Sequence, residues 1–164
     1  MTPSSASPAT GSPACPNGAD VARKQSADPL GMSGLVGGDI RTGRHECFER
    51  IVIELGGSGT FPGWFAEYRN DPVQLGESNE TAFIRGDATL VVRLGSWMRD
   101  TTGEGYQGPH DVFPTNVSSL RELRLIENHE GVTIWAIGID RQRPFDVSVL
   151  PSPPRLVIDV QTGT

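Results

Sequence analysis

The sequence lacks an excess of positive charge. Fourteen Lys and Arg residues stand against twenty Asp and Glu, so the formal net charge is -6 and the isoelectric point is near 5.0. A nucleic-acid-binding protein needs a net basic face, and anionic lipid attracts polybasic segments, so the composition argues against both partners. Lys24 is the only lysine, an arginine bias that we attribute to a GC-rich genome rather than to an arginine cluster for anionic ligands.

Long apolar runs are also missing. No segment approaches the roughly 20 residues that a membrane-spanning helix requires. The opening MTPSSASPATGSPACPNG lacks the basic start and apolar stretch of a secretory signal. Taken alone, these absences predict a cytosolic protein. A Ser-, Pro- and Ala-rich opening is, however, typical of the tether between a membrane anchor and an extracytoplasmic domain, so the compartment stays open at this point.

Cysteine and histidine are too scarce to predict a metal site. In His45-Glu46-Cys47 neighbouring side chains of a strand point to opposite faces, and no second cluster completes a tetrahedral site. We therefore expect neither a metal nor a cofactor. The only two cysteines, Cys15 and Cys47, form a disulfide in an oxidising compartment or stay as two reduced thiols. Lipid modification of Cys15 is a weaker alternative.

Aromatic residues are absent before Phe48. The first 38 residues also hold few large apolar side chains, which cannot offset a backbone ordering cost of roughly 1–2 kcal/mol per residue. We therefore predict a flexible tail rich in Ser, Pro, Ala and Gly over residues 1–38. Within it, only Leu30, Met32, Leu35 and Val36 are candidates for docking on a domain that spans residues 39–162.

Beyond this tail, apolar residues recur at every second position, as in a half-buried strand. The 20 Gly and 13 Pro are typical of short strands separated by turns. The C-terminal region predicts strands over 132–140, 145–150 and 155–160, whose connections are too short for a crossover helix and which should therefore pair antiparallel. Further strands are predicted over 64–69, 82–85 and 120–126. The fold class is therefore all-β.

The segment 120–126 is ambiguous. Ser119 and Glu122 also fit a helical capping box, and Leu120, Leu123 and Ile126 are spaced for one helical face. We favour a strand because residues 128–131 then make a natural hairpin turn into the next strand.

Arginine and tryptophan side chains are the best candidates for a binding site. Guanidinium groups recognise anionic ligands, and flat aromatic rings pack against sugars. Against this, arginine stems often cover apolar surface, and a tryptophan in a strand is usually in the core. The candidate ligand-binding residues are Arg44, His45, Trp64, Trp97, Arg141 and Arg143.

Signals of catalysis are weak. Ser58 in GGSGT resembles a nucleophile elbow only loosely, because Thr60 replaces the glycine required two residues later. No pattern buries a pair of carboxylates that could act as acid and base. We therefore predict a protein that is not an enzyme and has no catalytic residues. The alternative is a small extracytoplasmic hydrolase that uses the loop at 100–110, with His110 or His129 as its base.

Three segments, in order, resemble one known family. They are RTGRHECFERIVIEL (41–55), ENHEGVTIWAIGIDRQRPFDVSVL (127–150) and PPRLVIDV (153–160). The chain resembles, over roughly residues 39–161, the AMIN-like domain of actinobacterial secreted proteins and lipoproteins, which is related to the AMIN domain of cell-wall amidases. Neither a lipobox nor an amidase domain accompanies these segments.

The resemblance implies a sandwich of two antiparallel sheets outside the cytoplasmic membrane, with no catalytic residues of its own. Family members commonly carry one cysteine before the GRH strand and one within it, which supports the pairing of Cys15 with Cys47. We expect a non-enzymatic binding or scaffold module of the cell envelope, with peptidoglycan or an envelope protein as its partner. A purely protein–protein interaction domain of the envelope is a further alternative.

Overall fold

The structure is a computed structural model that describes residue 15 and residues 18–70, 72–76 and 78–163. These residues form twelve strands, and they contain no helix long and apolar enough to cross a membrane. The strands are β1 (Lys24–Gln25), β2 (Val36–Arg44), β3 (Phe48–Gly56), β4 (Trp64–Arg69), β5 (Val73–Gln74), β6 (Thr81–Ala82), β7 (Ala88–Leu94), β8 (Asp111–Val112), β9 (Leu120–His129), β10 (Val132–Ile139), β11 (Phe145–Leu150) and β12 (Arg155–Gln161).

Two antiparallel sheets enclose one main core. The larger sheet has the order β1-β4-β7-β10-β9-β8 and the smaller has the order β11-β12-β3-β2, while β5 and β6 form a separate short pair. Side chains from both sheets meet between them, among them Ile53, Leu90, Trp135 and Ile158, each 0% exposed. The predicted all-β sandwich is therefore confirmed.

Strand β3 shows why the period-two pattern folds this way. Ile51, Ile53 and Leu55 are at most 1% exposed and face the other sheet, whereas Val52 and Glu54 alternate with them on the outer face. Burial of an aliphatic side chain contributes about 1.5–3 kcal/mol. A shift of one residue in register would expose all three, so the pattern fixes which face is inside.

The ambiguous segment is a strand. β9 runs from Leu120 to His129 and pairs with β10 through a turn at Glu130 and Gly131, whose φ angles are 49° and 76°. Both residues are in the left-handed region that a tight hairpin turn requires.

Two of the strand predictions need correction. The three C-terminal strands do not all pair with one another, because β10 lies between β7 and β9 while β11 pairs with β12 in the smaller sheet. The turn at 140–144 carries the chain from one sheet to the other. There the Tyr68 hydroxyl donates to the Arg143 carbonyl at 2.6 Å and accepts from the Arg143 N–H at 2.9 Å, which fixes the corner. The strand expected over 82–85 ends at Ala82 as β6.

The segment expected to be a tail differs from the prediction in part. Residues 1–14 and 16–17 lie outside the described residues. Strand β1 pairs with β4, and Leu35 is 1% exposed, so the predicted boundary at residue 39 falls inside β2.

Between β1 and β2 the chain is held by backbone contacts. Gly63 N–H donates to the Gly31 carbonyl at 2.9 Å, Gly95 N–H donates to the Gly63 carbonyl at 3.0 Å, and Ser33 N–H donates to the Gly95 carbonyl at 2.8 Å. A Cβ atom on Gly95 would collide with the Gly31 carbonyl, so only glycine allows this approach.

The expected disulfide is confirmed. Cys15 and Cys47 are bonded with a Cα–Cα distance of 5.4 Å. Cys47 lies in the turn between β2 and β3, and its carbonyl accepts hydrogen bonds from the N–H groups of Thr162 and Gly163. Both described ends of the chain are therefore joined to one turn.

Candidate functional site

Loops and strand ends converge at one end of the sandwich. They come from the end of β2, the connections before β3, β7 and β9, and the turn after β10. Two neighbouring cavities open there, one of about 440 Å³ and one of about 670 Å³, and they share Ser118, Arg121 and Asp140. We call the first the inner cavity, the second the outer cavity and the two together the end groove. The charged groups of the inner cavity include Arg44, His45, Glu49, Arg121, Asp140 and Arg143.

Glu49 fixes the wall of the inner cavity. Its side chain is on β3 and is 2% exposed. Its carboxylate accepts the backbone N–H groups of Ser118 at 3.0 Å, Ser119 at 2.8 Å and Leu120 at 3.1 Å, and the Ser118 hydroxyl at 3.2 Å. A buried carboxylate needs such donors to offset its lost hydration. The loop that leads into β9 is therefore held in one position.

The side chain of Arg143 stabilises the fold through hydrogen bonds. Its Nε and Nη2 donate to the two carboxylate oxygens of Asp140 at 2.7 and 2.9 Å, and its Nη1 donates to the Gln161 carbonyl at 3.2 Å. The hydrogen bond with Arg143 lowers the pKa of Asp140, and the same bond raises the pKa of Arg143. With 12% of its side chain exposed, Arg143 orders the turn after β10. Arg143, a candidate ligand-binding residue, is thus already paired with Asp140.

Arg44 and Arg121 differ from Arg143. Within the described part of the chain, neither guanidinium has a hydrogen bond or an ion pair. Both residues are exposed, and both line the inner cavity. His45 lies beside them, exposed and stacked on Phe48 with ring centroids 4.6 Å apart. This part of the groove therefore offers donors for an anionic ligand.

The outer cavity adds an aromatic surface. Phe113 is 45% exposed in the loop between β8 and β9, and the guanidinium carbon of Arg85 lies 4.4 Å from the centre of its ring. Both residues line the outer cavity with Arg121. An exposed ring held by an arginine provides a flat apolar face next to a positive charge.

Glu122 supports the outer cavity from beneath. It is 3% exposed, and its Oε1 accepts the backbone N–H of Arg85 at 2.8 Å. Burial raises the pKa of Glu122, and a hydrogen bond with the Asp111 carboxyl raises that pKa further. Such a bond requires a proton between the two carboxyl groups. Among the described residues, no group donates a hydrogen bond to the buried Oδ1 atom of Asp111.

Glu122→Gln should gain stability relative to the wild type as the pH rises. Because the folded pKa of Glu122 lies above the unfolded value, the native state holds the proton more tightly. Its stability therefore falls between the unfolded pKa and the folded pKa. Glutamine keeps an acceptor for the Arg85 N–H and supplies a permanent donor to Asp111. Urea unfolding of both proteins over a pH series measures the difference, and a difference that stays constant with pH would contradict the shared proton.

The predicted binding residues do not all meet. Arg44, His45 and Arg143 line the inner cavity, and Arg141 is exposed one residue from Asp140 but outside the cavity linings described here. Trp64 starts β4, is 9% exposed and belongs to the core. The expectation that its ring is free for a sugar is wrong.

Trp64 and Trp97 also lie at the end of the sandwich opposite the groove. Trp64 pairs with Leu94, which pairs across β10 with Thr133, next to the turn between β9 and β10. The half-buried Trp97 accepts the Gly37 N–H at its carbonyl at 2.8 Å, at the start of β2. Neither ring can act together with Arg44, at the far end of that strand.

Sequence reasoning missed Arg85, Phe113 and Arg121. The sequence could have indicated an exposed ring at Phe113, because this residue precedes Pro114 in a short polar segment and not in a strand of alternating apolar residues. The sequence gives no indication that Arg85 and Arg121 lie close together. Their proximity depends on which strands are neighbours in the larger sheet.

The polar side chains of the loop at 100–110 form hydrogen bonds within the loop itself. The Asp100 carboxylate accepts the N–H groups of Thr102 and Glu104, and the Tyr106 hydroxyl donates to the Pro109 carbonyl at 2.7 Å. The Tyr106 ring packs edge-on against Trp135. No described Ser or Asp forms a hydrogen bond with the His110 side chain, and His129 lies 3.5 Å from Glu130. No observation at this loop favours the hydrolase alternative.

Comparisons with known proteins found one family. The family model described as AMIN-like domain matches residues 35–162, which agrees with the resemblance seen in the sequence. No curated protein and no solved structure matches the chain. The matched segment starts at Leu35 and includes the residues that line the end groove.

Proposed function

This chain belongs to the AMIN-like domain family, and on that premise we propose that it is a non-enzymatic binding module of the cell envelope whose ligand occupies the end groove. The family suggests a cell-wall-associated module without catalysis of its own. The groove supports this position for the ligand, because it combines arginines without described hydrogen bonds with an aromatic face.

One observation carries this proposal, namely that the guanidinium groups of Arg44 and Arg121 form no hydrogen bond and no ion pair with the described residues. Besides Arg143, the positive charge of Arg121 also lowers the pKa of Asp140. Asp140 is paired with Arg143, and Glu49 accepts hydrogen bonds from four donor groups. A guanidinium without a partner suits a carboxylate or phosphate, which it holds through two parallel hydrogen bonds.

Peptidoglycan has the matching chemistry. Its stem peptides carry carboxylates for the arginines, and its sugars carry hydroxyls for His45 and the Ser118 hydroxyl as well as apolar faces for Phe113. The inner cavity is polar and the outer cavity includes the ring. We therefore propose peptidoglycan as the ligand, with an acidic group at Arg121 and an apolar face on Phe113.

The disulfide supports a location outside the cytoplasmic membrane. Structural disulfides persist in secreted and envelope proteins and are rare in a reducing cytosol. Cys15 is bonded to Cys47, the second residue after His45. The same oxidising compartment therefore contains the groove, as the proposed ligand requires.

Arg121→Ala should weaken binding to purified, protein-free cell walls roughly ten- to hundredfold, because a charge-assisted hydrogen bond is worth about 1.5–3 kcal/mol. Arg44→Ala should act in the same direction. Co-sedimentation at two salt concentrations measures the effect, and added salt should weaken wild-type binding more than that of either variant because exposed charges are screened.

The matched control is Arg99→Ala. Arg99 is also exposed but lies at the opposite end of the sandwich, next to Asn128, so its removal should leave sedimentation unchanged. Failure of the wild-type domain to sediment would reject peptidoglycan and favour an envelope protein as the partner. Equal sedimentation of all four proteins would place the binding site elsewhere on the sandwich.

A further inference from the structure

Most free sheet edges of this protein are protected against pairing with another chain. Strands β1 and β8, at the two edges of the larger sheet, are two residues long each, and short edges offer few free backbone groups. Among the described residues, the two long edge strands are β2 and β11, which border the smaller sheet.

Strand β2 is protected. A register shift interrupts its pairing with β3 between Gly37 and Asp39. Asn116 covers its outer edge, since its Nδ2 donates to the Thr42 carbonyl at 2.7 Å and its Oδ1 accepts from the Thr42 hydroxyl at 2.7 Å. Bulges, covering groups and charges are the usual means of blocking edge-to-edge association.

Beyond the exposed charge of Asp146, strand β11 has none of these protections over residues 147–150. Its sequence FDVSVL has no proline or lysine, and its pairing with β12 has no bulge. Gln161 N–H donates to the Pro144 carbonyl and Phe145 N–H donates outward to the Asp20 carbonyl. Since antiparallel bonding alternates along a strand, the backbone groups of Val147 and Val149 also point outward. In the described residues nothing pairs with them.

We propose that β11 is a homodimer interface, in which it pairs antiparallel with β11 of a second copy of this chain. One register uses the free groups of both Val147 and Val149, namely Val147 opposite Val149 of the partner, with a two-fold axis at Ser148. A register with Val149 opposite itself would place Val147 opposite Pro151, which has no N–H to donate. A register with Val147 opposite itself would need the Phe145 N–H, which already donates to Asp20.

The side chains fit this register. Asp146 comes to lie opposite Leu150 of the second copy, so no like charges face each other. Val149 and Leu150, 41% and 37% exposed in the monomer, become part of the contact. The same patch meets itself across a two-fold axis, as in most homodimers, and the smaller sheets of two copies join into one continuous eight-stranded sheet.

Val149→Pro tests the interface directly. The change removes one outward N–H per chain and leaves the bonds between β11 and β12 intact, since proline is tolerated on an edge whose N–H faces away from the sheet. The full chain of 17.6 kDa should sediment at twice this mass at high concentration. Val149→Pro should weaken dimerisation roughly ten- to hundredfold, because each dimer loses two hydrogen bonds and gains two steric obstacles.

The matched variant is Val149→Thr, which preserves the N–H and the branched shape and should dimerise like the wild type. Thermal unfolding verifies that both variants are folded. A wild-type chain that stays monomeric throughout the concentration series would overturn the proposal. So would a monomer whose Val149 amide is protected from hydrogen exchange, because another segment of the same chain would then cover the edge.

Discussion

Replacing Cys15 and Cys47 by serine should lower the free energy of unfolding by about 3–4 kcal/mol in the chain-entropy description of a disulfide. The two residues are separated by 32 positions, so the bond removes much of the freedom of the unfolded chain. A typical domain is stable by only about 5–15 kcal/mol, so the loss is a large part of the total. Urea unfolding of the oxidised wild type and of the double variant measures it.

Reduction of the wild type is the matched comparison. A thiol reductant should produce the same loss as the serine variant, because both open the same loop, and it should have no effect on the variant. Non-reducing peptide mapping first verifies that the bond is present in the starting protein. Equal stabilities of the oxidised wild type and the variant would show that the bond does not constrain the unfolded chain.

Glu49→Ala should lower stability by an amount on the order of 3–5 kcal/mol, as when a buried charged group is removed from its partners. The change leaves the N–H groups of Ser118, Ser119 and Leu120 without an acceptor inside the protein, at a cost of about 1–3 kcal/mol each where water cannot replace it. It should also weaken ligand binding, since Ser118 and Ser119 form part of the wall of the inner cavity.

Glu46→Ala is the control for this prediction. Glu46 lines the same cavity but is exposed, so its removal should change stability by less than about 0.5 kcal/mol. Urea unfolding at neutral pH compares the two variants with the wild type. A Glu49→Ala protein as stable as the Glu46→Ala protein would mean that the loop before β9 does not depend on the buried carboxylate.

The strands were predictable because one face of each is buried. Ile51 and Ile53 on β3, like Leu156 and Ile158 on β12, face the core between the two sheets. The polar residues of these strands, Glu54 and Asp159 among them, lie on the opposite faces. That β10 and β11 lie in different sheets was not predictable from connection length alone. A turn of five residues can close a hairpin or cross between sheets, and here the Tyr68 hydroxyl, 75 positions away in sequence, fixes the crossing.

The same reasoning explains why the chain between β1 and β2 was assigned to the tail. Large apolar side chains are the signal that a sequence offers for burial, but the chain between β1 and β2 is attached through the backbones of Gly31, Gly63 and Gly95. A glycine contact of this kind leaves no hydrophobic pattern. Leu35 is the one large buried residue of this stretch, and a single apolar residue is not enough to predict that a segment is packed against the domain.

The end groove was predictable only in part. Arg44 and His45 were recognised because charged residues cluster at the opening of a core strand, and both line the inner cavity. Arg121 lies more than 70 positions away and reaches the same cavity because β9 starts beside the turn before β3. Arg143 was named as a candidate because it is charged, but it forms an ion pair with Asp140, three residues earlier. Spacing along the sequence does not show which arginines form such ion pairs.

The junction at Cys47 determines how the domain would carry mechanical load. Cys15 is bonded to this residue, and Gly163 N–H donates to its carbonyl at 3.1 Å. Tension applied to the chain before Cys15 and after Gly163 would pass through this single turn and would not cross the two sheets. This turn is next to His45 and therefore next to the end groove. A ligand bound in the groove would lie close to the point at which the tension enters the domain.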